Sequence, residues 1–222
     1  MSKKAFSVLA ALMVLGVCVG AAAAPLDKTS IEQAYARKLA AQQQQDIDQR
    51  IAAREQALNQ APGSPVLGNG DVVIVEFFDY ACPYCKAVEP RLEALLKSDR
   101  KVKLVLKEFP ILTPQSMIAT RAALASVRQG KYRPFHQAMM SFRGQLLESD
   151  IFDMAKASGL DVARLRRDMT APEISDEIIA NFNLARGIRA FQTPTFIVGN
   201  HEMSSESASI DFPGAVAAAR GK

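Results

Sequence analysis

The chain has 222 residues, 49% hydrophobic and 23% charged, which suffices for one full domain plus an appendage and excludes global disorder. Its 27 basic and 23 acidic side chains give a formal charge of +4, too mild a surplus to indicate nucleic acid or a membrane surface as a partner.

The opening stretch, MSKKAFSVLAALMVLGVCVGAAAAP, sets Lys3 and Lys4 ahead of an apolar run and then small residues. That order predicts a secretory signal peptide over residues 1–23, cut after Ala23, rather than a membrane anchor. A lipoprotein attached through Cys18 is the rival reading, and the bulk of Val17 argues against it. No second long apolar run follows, so an exported, soluble mature chain is expected. Loss of the leader leaves 25 basic against 23 acidic side chains and removes Cys18, so Cys82 and Cys85 become the whole cysteine complement.

Residues 26–61, rich in Ala and Gln, read as helix. Ile31, Tyr35 and Leu39 share one face, and Ile47, Ile51 and Leu58 share another. Between the two sets the helix turns by about 160°, at roughly 100° per residue, so the apolar stripe changes sides across Gln42–Gln45. One reading is an amphipathic helix docked loosely on the domain; the other is an oligomerisation arm whose middle bends or reorients. A strict heptad is absent, so no subunit count follows.

The Pro- and Gly-rich "APGSPVLGNGD" at 61–71 marks a linker. Val72–Phe78 then reads as a buried strand, 86–98 as a helix and 101–109 as a second strand, a βαβ unit with parallel strands. Helices are expected near 114–130, 134–142, 148–158, 161–169 and 172–187. Residues 193–200 return to strand character, 201–210 offer an edge strand, and 212–220 close as a helix. The fold class is therefore α/β: a thioredoxin fold with a helical insertion at about 114–189 between its βαβ and ββα halves, preceded by an N-terminal helical arm. The boundaries expected are 24–63 for the arm and linker and 64–222 for the thioredoxin-like domain.

The pair in "DYACPYCK" can lock a structural disulfide, bind a metal or exchange electrons with other thiols. A four-residue loop constrains the unfolded chain little, which weakens the structural reading. Zinc wants four ligands, and neither His136 nor His201 has ligand spacing; each reads as solvated or satisfied within the core. Two thiolates alone suit soft Cu(I), so copper capture is a minor second activity; no resident metal or cofactor is expected. Redox exchange fits best. Cys82 follows a strand and opens a helix, where free backbone N–H groups and the helix dipole favour a thiolate. Pro83 suits the first helical turn, Lys86 adds positive charge, and Cys85 lies one turn on, placed to resolve a mixed disulfide. Met139, Met140 and Phe135 at helical spacing read as core.

Through "VEFFDYACPYC", "KEFPIL" and "QTPTFIVG", residues 64–200 resemble the DsbA-like thiol–disulfide oxidoreductases of the bacterial cell envelope, and within them the copper-sensitivity suppressor (ScsC) group. The match is weak over 201–222, and the arm resembles only those members with an N-terminal trimerisation segment. The resemblance implies a periplasmic protein disulfide oxidoreductase or isomerase and a homo-oligomer, a trimer in particular. It also implies exported clients that carry disulfides or suffer copper stress, and a membrane redox partner of the DsbD/ScsB type. It implies a cis bond at Thr193–Pro194 opposite the cysteines, with Thr193, Pro194, Pro83 and Tyr84 meeting the substrate. Thr193 before this proline is similar to isomerase-type members. Tyr84, where the strongest oxidases carry histidine, implies a milder oxidant. Glu76 matches an acid beneath the active site and Lys107 its ion-pair partner, implying a proton relay for Cys85; a strand-end charge reaching solvent is the other reading of Glu76. Glu108 reads as a solvated neighbour. The rivals that remain are a monomeric DsbA-type oxidase, a Cu(I)-binding module and an interaction protein working through its arm.

Overall fold

Val72–Phe78 (β2) is apolar at every position but Glu76 because both of its faces are covered: it is the central strand of a five-stranded sheet. The computed structural model describes residues 28–59, 63–199, 201–204 and 210–221, so the expected signal peptide lies outside the described residues. Strand order is β1(Val66–Leu67)–β3(Val102–Glu108)–β2–β4(Thr195–Val198)–β5(His201–Ser204). Only β2 and β3 run parallel; the other neighbours are antiparallel. The two-residue β1 escaped the sequence reading because it lies within the Pro/Gly-rich linker.

Register fixes what each face carries. Glu76 lies beside Leu106 and Phe77 beside Lys107, and neighbours so paired point to the same side. On one face Ile74, Phe78, Leu104 and Leu106 pack under α3 (Pro83–Ser98), α9 (Phe212–Arg220) and the helical insertion. On the other, Val75, Phe77, Val105 and Phe109 meet Ile51, Leu58, Ala185 and Ile188.

The insertion comprises α4 (Pro114–Ser126), a 3-10 turn at Val127–Gln129, α5 (Tyr132–Ser141), α6 (Glu148–Ala157), α7 (Val162–Asp168) and α8 (Pro172–Ile188). Local chemistry starts these helices: Thr113 and Ser116 form a capping box for α4, Asp161 caps α7, and Pro172 opens α8. Gly130, at φ 65°, ends the tract that the sequence had run as one helix over 114–130.

Ahead of the sheet, α1 (Lys28–Ala52) runs as an uninterrupted helix through Gln42–Gln45, followed by α2 (Glu55–Asn59). The described residues fall into two units, divided between Ala40 and Ala41. In the first, Ile31, Tyr35 and Leu39 are exposed. In the second, Ile51 and Leu58 are buried beneath the sheet, a contribution of about 1.5–3 kcal/mol each. The change of stripe thus marks where the helix acquires a core to cover, and residues 41–59 pack with the domain that the sequence reading started at 64.

Candidate active site

At the carboxyl end of β2 the chain turns through Asp79–Ala81 and enters α3, with Cys82 as the N-cap residue and Pro83 in the first turn. A cap in extended conformation (φ −75°, ψ 117°) leaves the first N–H groups of α3 aimed at its side chain: Cys82 Sγ accepts from Cys85 N at 3.4 Å. As a thiol it donates to the Thr193 carbonyl at 3.2 Å. The Thr193–Pro194 bond is cis and brings that carbonyl across from α3.

The two sulfurs are free thiols with opposite proton preferences. The Cys85 thiol donates to Cys82 and lowers its pKa from an ordinary 9.0 to about 6. The Thr193 side chain and the N–H groups of Cys85 and Tyr84 act in the same direction, against the cost of burial. Cys85 is pushed well up, first by burial, then by the hydrogen bond its thiol donates to Cys82 and by the nearby Glu76. One thiolate and one thiol share the site at neutral pH.

Glu76 is fully buried and, among the described residues, neither carboxyl oxygen has a hydrogen-bond partner. Burial, then Glu89, Cys82 and Glu108, hold it well above the usual carboxylate range, so it is a neutral acid. The reading of a strand-end charge in solvent is corrected. So is the ion pair with Lys107: register sends Lys107 to the opposite face of the sheet. There its ammonium donates to the Ala57 carbonyl at 3.4 Å and lines a cavity of about 760 Å³ with Arg54 and Glu177. Burial lowers its pKa to about 8, with Glu177 opposing.

Glu108, expected in solvent, is the residue that shares Glu76's face, and it is fully buried. It accepts from Tyr80 Oη at 3.0 Å, Tyr132 Oη at 3.1 Å and Thr120 Oγ1 at 2.9 Å. Burial nevertheless raises it to about 8. His136 is buried in the core with its Nδ1 2.9 Å from Tyr80 Oη; its Nε2 has no hydrogen-bond partner among the described residues, with Glu89 Oε1 3.5 Å away, so it is only half satisfied there. Met139, Met140 and Phe135 are core residues.

Asp79 ties the active-site turn down and was not singled out from sequence. Its carboxylate accepts from Ala81 N (2.7 Å), Ser116 Oγ (2.7 Å), Ile111 N and Leu112 N (both 2.9 Å). The available signal was an Asp two residues before a backbone N–H it can cap. This knot places Ile111 and Leu112 beside Cys82, where with Pro83, Tyr84, Phe191 and Thr193 they line a groove of about 590 Å³. Tyr84 and Phe191 stand largely exposed around a sulfur that is itself nearly covered. Among the described residues no group of three or more His, Cys, Asp or Glu is placed to hold a metal ion.

Residues 73–213 match the DSBA-like thioredoxin domain. The chain belongs to the DsbA-like thioredoxin family. A thioredoxin-like oxidoreductase from Silicibacter pomeroyi is 40% identical, with a TM-score of 0.73 over 75% of this chain and 98% of that one. The DsbA thiol:disulfide interchange protein of Bordetella parapertussis is 28% identical over 170 residues, 73% of this chain and 80% of that protein. The catalytic domain of Proteus mirabilis ScsC shares the fold, with a TM-score of 0.72 at 23% identity over 79% of this chain and 99% of that one. The Na(+)/H(+) antiporter NhaA 1 of Salinispora arenicola is 27% identical over 147 residues, 63% of this chain, which spans only 22% of the antiporter's length. The DsbA-like match thus includes the cysteine pair, the cis-proline strand and the insertion between them.

Proposed function

We propose that this DsbA-like chain is an exported, periplasmic thiol–disulfide oxidoreductase that acts on protein disulfides as an isomerase or reductant. The observation that carries the reading is Cys82 at the N-cap of α3, its sulfur accepting from Cys85 N and set 3.2 Å from the Thr193 carbonyl, a placement that lowers its pKa to about 6 beside the buried Cys85. The Cys82 thiolate attacks a substrate disulfide; a Cys82–substrate disulfide forms and the other substrate sulfur leaves as thiolate. Bonding removes the Cys82 charge that helps hold Glu76 neutral, so Glu76 releases its own proton to solvent and, as a carboxylate, takes the proton of Cys85. The Cys85 thiolate then attacks Cys82 Sγ, the Cys82–Cys85 disulfide forms, and the substrate sulfur is released as a second thiolate. Two electrons pass from the protein dithiol to the substrate disulfide. In isomerisation a substrate thiolate attacks the mixed disulfide instead, and no net electrons move.

Tyr84 offers Cys82 no positive charge, which supports a milder potential than that of a dedicated oxidase. A membrane redox partner of the DsbD/ScsB type would return the disulfide to the dithiol, and residues 1–23 would direct export. The exposed Ile31, Tyr35 and Leu39 support assembly of copies through the start of α1. Replacing these three by serine, rather than deleting up to residue 61, tests that role without uncovering the core beneath Ile51 and Leu58; an unchanged mass by light scattering would refute it.

The deciding experiment pairs the reduction potential with rescue of a scrambled multi-disulfide protein. Rescue with a mild potential is expected. A strongly oxidising potential without rescue would make the chain a DsbA-type oxidase. Disulfide exchange absent even in metal-free buffer would leave Cu(I) capture as the role of the pair.

A further inference from the structure

On the other side of Pro83 from the Cys82 groove lies a second, smaller pocket of about 300 Å³, whose walls include Ala87, Phe142 and two cations, Lys86 and Arg143. Lys86 is 7% exposed, and its ammonium donates to the Phe142 carbonyl at 2.9 Å and sits 5.5 Å from the centre of the Phe142 ring. Arg143 Nη1 donates to the same carbonyl at 3.2 Å and to that of Met140 at 2.9 Å. Two positive charges thus converge on one neutral oxygen. Among the described residues neither has a carboxylate within ion-pair distance. Asp79 is committed to four other donors, and Glu89, three residues on from Lys86, lies 3.5 Å from His136. A like-charged pair held together by neutral acceptors is relieved by an anion, and desolvation of Lys86 strengthens the attraction. The free guanidinium edge of Arg143 suits the paired oxygens of a carboxylate.

We propose that this pocket is a substrate subsite that takes an aspartate or glutamate side chain of the client segment whose disulfide Cys82 attacks. The inference rests on the oxidoreductase reading and adds a specificity to it. Pro83 lines both cavities, so a segment crossing it presents apolar side chains to Tyr84, Ile111, Leu112 and Phe191 on one side and an acidic one to Lys86 and Arg143 on the other. The pocket is preformed, and among the described residues no carboxylate pairs with either cation; Asp79 and the Cys82 sulfur act on Lys86 only through space.

The test uses the full reduced protein and short peptides whose single cysteine is in a disulfide with a chromogenic thiol. Asp, Asn or Lys stands two residues before or after the cysteine. The second-order rate constant for the Asp peptide, in at least one of the two placements, should exceed that for Asn by about tenfold, with Lys slowest. The preference should shrink in high salt. Arg143→Glu should invert the order, and its gain on the Lys peptide separates altered recognition from a damaged fold. Equal rates for the three peptides in both placements, or an Asp preference that survives Arg143→Glu, would overturn the subsite alone. A protein that reacts with none of the peptides would overturn the oxidoreductase reading and the subsite with it.

Discussion

Glu76 and Glu108 share the sheet face beneath the cysteine pair, both fully buried and, among the described residues, neither in an ion pair with a cation. They solve the same problem differently. Glu108 is satisfied by three hydroxyls, whereas Glu76 has no hydrogen-bond partner among the described residues and is held in its neutral form. A buried acid kept neutral has the form a proton relay needs, and its burial has a measurable cost.

Glu76→Leu should therefore stabilise the protein and slow its chemistry. The folded carboxyl titrates well above its ordinary 4.5, so the unfolded chain ionises first as pH rises. The penalty is absent below that value and grows as pH climbs towards the folded pKa. The gain in Tm should thus be larger at pH 8 than at pH 4. Release of substrate from the mixed disulfide should slow by about 10²-fold, while the first attack by Cys82 changes little. Unaltered release in a stopped-flow assay would remove Glu76 from the mechanism.

Lys107→Met tests the separation of the two faces. The amine's folded pKa, lowered to about 8 from 10.5, means that burying the charged form costs stability at every pH below about 8, a cost that fades as pH rises towards 10.5. The substitution should raise Tm at pH 7. It should leave the Cys82 pKa unshifted and peptide exchange within about twofold, because the two sites share no partner. A shift in the Cys82 titration would show coupling through the sheet.

Asp79→Asn replaces an acceptor of four hydrogen bonds by a group that must aim two of its own hydrogens at donors. Chemical denaturation should show a loss of about 1–3 kcal/mol. The apolar groove should also weaken, because Ile111 and Leu112 are held through the same carboxylate; peptide KM should rise more than kcat falls.

The parts legible in the sequence were those set by local pattern. An apolar run, a Cys-Pro pair at a helix start and a threonine ahead of a proline identify β2, α3 and the strand opposite them. The error at Lys107 has a definite origin. Alternation along β3 separates Lys107 from Glu108, but which of the two joins Glu76 depends on register with β2, and a one-residue shift would exchange them. Glu108 also looked solvated because its partners come from elsewhere in the chain: Tyr80 from the active-site turn, Thr120 from α4 and Tyr132 from α5. At α1 the two stripes were visible, but not that the second is covered by the sheet.

The sulfur at the mouth of α3 is the point on which the chemistry turns, and its acidity can be read directly. Thiolate absorbance of the reduced protein, followed from pH 3 to 10 with Cys82→Ser as control, should show one group titrating at about 6 that vanishes in the variant, while Cys85 stays protonated well past its ordinary 9.0. A first thiol that titrates no lower than 9.0 would contradict the account.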